Sequence, residues 1–122
     1  MKTIGDFIEG KIRRSEATDV LTVKREGDSD TEFGPLEGLL LSKTGQTAFY
    51  KLGLILHDGQ RIAYEDLIRV TISAEENHER LVHLIGVHGE KFRLRCSEKG
   101  GIVLHATLRW IGNTSLKRQI AR

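Results

Sequence analysis

Cysteine is nearly missing from this 122-residue chain: Cys96 stands alone, so no disulfide can close within it. A structural zinc site built on cysteine pairs is excluded on the same ground. One free thiol and no disulfide fit a reducing compartment, and the expected location is cytoplasmic. Long apolar runs are absent too. None approaches the roughly 20 residues that a membrane-spanning helix needs, and Lys2, Asp6 and Glu9 interrupt the opening residues where a secretory core would lie. Proline occurs once, at Pro35, and there is no low-complexity tract, no internal repeat and no long linker.

The motifs of common catalysts are missing as well. The 13 glycines are dispersed, with no G-x-x-x-x-G-K or G-x-G-x-x-G to cradle a phosphate and no G-x-S-x-G around a nucleophile. Cys96 falls on an apolar strand face, where a thiol is inert. The five histidines, His57, His78, His83, His88 and His105, form no helical metal-binding pair. Adjacent acids such as Glu65-Asp66 and Glu75-Glu76 point to opposite faces of a strand and make no acid–base pair. The sequence therefore names no catalytic residue, no metal ligand and no cofactor, and a non-enzymatic role is expected.

What is present is a strand-rich pattern. At 39% hydrophobic and 30% charged the composition is globular, and the length suits one domain over residues 1–122. The first 14 residues place Ile4, Phe7, Ile8 and Ile12 on one stripe of a short amphipathic helix. That stripe can pack on the domain, on a second copy or on a membrane surface. Thr18 to Arg25 reads as a first strand, followed by a loop at residues 26–35 with four acids and the proline. A second strand runs from Leu36 to Lys43. A third, Thr47 to His57, alternates Ala48, Tyr50, Leu52, Leu54 and Leu56 on one face.

Two similar hairpin turns are written into I-L-H-D-G-Q-R-I (55–62) and I-G-V-H-G-E-K-F (85–92). Between them, Leu67 to Ser73 alternates Ile68, Val70 and Ile72 inward against Arg69 and Thr71 outward. Arg80 to Val87 follows a polar turn. Lys91 to Cys96 then sets Phe92, Leu94 and Cys96 against Lys91, Arg93 and Arg95. Short connections imply antiparallel pairing of about seven strands. From Lys99 to Ile111 the period becomes helical, with Ser97 as N-cap, Gly112-Asn113 as stop signal and Trp110 expected to be largely buried. The expected fold is mainly β: a curled sheet or small barrel capped by one C-terminal helix.

Seven short strands and a Trp-bearing helix resemble the pleckstrin-homology-like superfold over residues 18–112. D-G-Q-R-I-A-Y-E-D-L-I-R-V (58–70) is similar to the central-strand entry of its bacterial and GRAM-type members. R-W-I-G (109–112) is similar to the helix end of its eukaryotic ones. The resemblance implies a non-catalytic binding scaffold for lipid headgroups, peptides or proteins. Lipid-binding members carry basic residues around the first hairpin. Here Lys24 and Arg25 are followed at once by Asp28, Asp30 and Glu32.

Charge points the same way. Residues 1–98 hold 14 basic and 17 acidic side chains, whereas 99–122 hold five basic and none acidic, which makes 113–122 a basic tail. Lys91, Arg93 and Arg95 share one strand face, and Arg69 projects outward from another strand. These four residues are the candidate contact site for a partner. Protein–protein recognition is the leading expectation. Binding of an acidic ligand or nucleic acid through this strip and the basic C-terminus is the second, membrane-surface attachment the third, and self-association remains open.

Overall fold

Alternation of apolar and polar residues does build strands here, and the computed structural model describes residues 4–15, 28–42 and 45–120. The strand expected over Thr18–Arg25 lies outside the described residues. The element order is α1 (Ile4–Ser15), β1 (Ser29–Asp30), β2 (Gly34–Ser42), β3 (Gly45–Tyr50), β4 (Gly53–Ile55), β5 (Arg61–Ala63), a 3-10 turn at Tyr64–Asp66, β6 (Leu67–Ile72), β7 (Glu79–Gly86), β8 (Lys91–Ser97) and α2 (Glu98–Ile120). All pairings are antiparallel. β1 to β5 form one curled sheet in sequence order, a half-barrel, and β6-β7-β8 form a second sheet. One core cluster joins them, from Phe49, Leu54 and Ile62 of the first sheet to Val82, Leu84 and Leu94 of the second. α1 and α2 add Ile4, Ile8, Val103, Leu104, Leu108 and Ile111 to it.

The two glycine hairpins have the same geometry. The Leu56 N–H donates to the Gln60 carbonyl and the Gly59 N–H to that of Leu56; Gly86, Glu90 and Gly89 repeat the scheme. Gly59 and Gly89 stand at φ +86° and +85°, the left-handed conformation that makes glycine the residue of choice there. The third turn uses Asn77 (φ 52°) and His78 (φ 63°) between the paired Glu76 and Glu79, a type I′ arrangement without glycine.

Three expectations need correction. The single strand from Thr47 to His57 is two strands, because the chain doubles back around Lys51-Leu52 and pairs Phe49 with Leu54. Thr47 and Phe49 therefore point inward, and Leu52 is left 53% exposed at the bend. In β6 a bulge between Leu67 and Arg69 throws Ile68 outward, 62% exposed, while Val70 and Ile72 pack on the core. α2 begins as expected, with the Gly100 N–H donating to Ser97 Oγ (3.0 Å), but it does not end at Gly112. A glycine inside a helix costs about 1 kcal/mol. Leu116, Lys117, Arg118 and Gln119 follow it and are good helix formers, so the helix continues to Ile120.

Each helix shows which residues hold it. α1 buries Ile4 and Ile8 against the domain, so these two residues of its apolar stripe are occupied within the chain. Gly38 allows that approach: a Cβ there would meet Gly5 Cα at 3.2 Å. α2 is anchored by Val103, Leu104, Leu108 and Ile111, each no more than 4% exposed. Trp110 packs against the core with part of its surface exposed, and stacks on Phe7 of α1 at 5.0 Å between ring centroids. No helix among the described residues is long and apolar enough to cross a membrane.

The acidic loop is also more ordered than its composition suggests. Asp30 Oδ2 accepts the N–H groups of Glu32 (3.0 Å) and Phe33 (2.9 Å), and both Asp30 oxygens accept hydrogen bonds from the Arg61 guanidinium. These bonds, that from Arg61 first, hold the Asp30 carboxyl down at about 2, against an ordinary 3.8. A lowered folded-state value means the contribution is complete above about pH 4 and is lost as pH falls through 2. Acid titration of the denaturation midpoint should show that limb. Asp30→Asn, which cannot ionise, should remove this contribution to it, and an unchanged limb would rule the knot out as its source.

Candidate functional site

The second sheet carries two different faces, fixed by register. In an antiparallel ladder, directly opposed residues share a face and neighbours along a strand do not. The rows Val70–Leu84–Phe92 and Ile72–Val82–Leu94 therefore lie together, on the side that α2 covers. The alternate rows, Arg69–Ile85–Lys91 and Thr71–His83–Arg93, with Leu81 opposite Arg95, form the other face. That face is open: Arg69, Lys91, Arg93 and Arg95 are exposed, and Leu81, His83 and Ile85 are partly so. A depression of about 400 Å³ runs across it, between Arg69 and Thr71 on one side and Lys91 on the other.

All four candidate cations thus stand on one face, with Arg69 separated from Lys91 by a single intervening strand. They are not equivalent. Arg95 Nε lies 3.6 Å from Glu79 Oε2, so its charge is partly answered within the sheet. Among the described residues, Arg69, Lys91 and Arg93 make no ion pair. Three uncompensated cations around a shallow trough produce a positive potential there, which favours anionic groups over neutral ones.

The sequence did not reveal what lies between the cations. The middle row, Leu81, His83 and Ile85, belongs to R-L-V-H-L-I-G, whose apolar residues fall on both faces and read as a strand buried on both sides. Only the pairing shows Leu81 and Ile85 opposite arginine and lysine. In the row Arg69–Ile85–Lys91 the open face is therefore basic, apolar, basic across its width, and the next row sets His83 between Thr71 and Arg93. Cys96, by contrast, is 1% exposed in the core, and His57 and His88 are exposed in their turns.

Replacing Arg69 and Arg93 by serine tests whether these side chains serve the fold. Both are exposed and unpaired, so the double change should keep stability within about 0.5 kcal/mol in urea denaturation. A loss above 2 kcal/mol would make them structural. Compared with models of known protein families, with curated proteins and with solved structures, the chain matches none.

Proposed function

We propose that this chain is a non-catalytic interaction module of pleckstrin-homology-like type that docks a protein partner on the open face of the β6-β7-β8 sheet. The observation that carries this reading is the uncovered face itself. It presents partly exposed Ile85 between Arg69 and Lys91, with partly exposed Leu81 further along the same strand, and Arg69, Lys91 and Arg93 have no ion partner among the described residues. Interfaces of proteins combine such an apolar centre with a charged rim, and arginine is enriched in them. The scaffold reading rests on element order: short antiparallel strands in two sheets, closed by a C-terminal helix.

A nucleic-acid ligand fits this face less well. Single strands stack their bases on aromatic side chains, and the aromatic residue of β8, Phe92, belongs to the opposite row. Membrane attachment through the N-terminal stripe is not favoured, since Ile4 and Ile8 are buried in the domain. Affinity capture tests the proposal. The immobilised wild-type domain and its Arg69→Ser/Arg93→Ser variant are exposed to the same nuclease-treated lysate. Proteins held by the wild type should be recovered at least tenfold less on the variant, about 1.4 kcal/mol. Equal recovery would move the contact off this face, and capture that depends on nucleic acid would sink the protein reading.

A further inference from the structure

Resting on that docking reading, we infer that the partner element is an acidic amphipathic helix lying along β7. The argument is one of width and period. Neighbouring strands are about 4.8 Å apart, so Arg69 on one side and Lys91 and Arg93 on the other stand in rows roughly 10 Å apart. A helix with its side chains is about 10–12 Å across and fills that interval. Leu81 and Ile85, four residues apart on β7, span about 13 Å, which matches about nine helical residues or two and a half turns.

The transverse pattern decides between a helix and an extended chain. An extended segment turns every second side chain away from the sheet and presents a single row. It cannot place an apolar row on Leu81 and Ile85 while reaching the cations on both sides. A helix can. Its apolar stripe is bordered on both sides by positions that carry charge, as in the e and g positions of a coiled coil. The row Arg69–Ile85–Lys91, basic–apolar–basic across the sheet, is the complement of acidic–apolar–acidic around a helix. Arg69, Lys91 and Arg93, which have no ion partner among the described residues, supply the charge complementarity for it.

Two 15-residue peptides of identical composition test the inference against the isotope-labelled full chain by amide NMR. In one, leucines occupy the a and d positions of two heptads and glutamates the e and g positions. In the other, leucine and glutamate alternate with the period of a strand. Inorganic triphosphate is the third probe. The heptad peptide should shift the amides of Arg69, His83, Ile85 and Arg93, gain helical circular dichroism on binding, and bind at least tenfold more tightly than the alternating one. Ile85→Ser should weaken it at least fivefold while leaving the remaining amide spectrum native. Equal or tighter binding of the alternating peptide, or of triphosphate, at the same amides would overturn the helix and leave the docking face standing. No response on this face to any of the three probes would overturn both.

Discussion

Phe49→Ala is expected to lower the stability of the domain by about 3–5 kcal/mol, the usual cost of emptying a fully enclosed aromatic site. Phe49 is 0% exposed and lies in β3 opposite Leu54, within the cluster that joins both sheets and both helices. Its ladder partner on the other side is Gly38, over which α1 passes at close range. The ring therefore fills the space where the half-barrel meets the N-terminal helix. Against a typical total of about 5–15 kcal/mol, the loss leaves a marginal domain. Urea denaturation followed by circular dichroism measures it. Phe49→Leu, which retains more volume, should cost clearly less. A cost below 1 kcal/mol for the alanine variant would mean that α1 or β2 closes over the gap and that the core is not organised around this ring.

The second large effect is expected from adding one methyl group. Gly53 opens β4, and a Cβ placed there would lie 2.7 Å from three atoms of the Phe33 ring. Phe33 is only 2% exposed, and the Arg61 guanidinium covers its ring with Cζ 4.7 Å from the centroid. The ring cannot retreat without disturbing Arg61, and Arg61 is the group that grips Asp30. Overpacking of this kind costs about 1–3 kcal/mol. Gly53→Ala should therefore do two things at once. It should lower the denaturation midpoint, and it should let the Asp30 carboxyl rise from about 2 back toward 3.8 as Arg61 moves away. Adding Phe33→Leu should recover part of the stability by making room. If Gly53→Ala proves neutral, within about 0.5 kcal/mol, the stacked arrangement of Gly53, Phe33 and Arg61 is wrong.

These two sites show why some of the fold was legible and some was not. Hairpins at Asp58-Gly59 and His88-Gly89 announce themselves, because positive φ at a tight turn selects glycine. The alternation of Phe92, Leu94 and Cys96 against Lys91, Arg93 and Arg95 is equally plain, and β8 obeys it. The bend at Lys51-Leu52 has no glycine or asparagine at its tip, and apolar residues continue through it, so the eleven residues Thr47 to His57 read as one strand. The acids and glycines of residues 26–35 read as loop. Within it Asp30 is held by Arg61, 31 positions away in the chain, and no local pattern announces such a contact. The four basic residues of the candidate site were visible as a strip. Their apolar neighbours were not, since the position of Ile85 between Arg69 and Lys91, and of Leu81 opposite Arg95, is a fact of pairing.

The bulge at Ile68 bears on how this protein avoids its own kind. β6 borders its sheet and pairs only with β7 among the described strands. A straight border strand offers a row of unpaired donors and acceptors to any other copy, the route to edge-to-edge aggregation. Here the extra residue breaks the regular spacing of those groups and increases the local twist. Arg69 follows it with an exposed charge. The border is thereby blunted at two successive residues, Ile68 and Arg69. Along the β6 border the sheet therefore offers no regular template for a further strand.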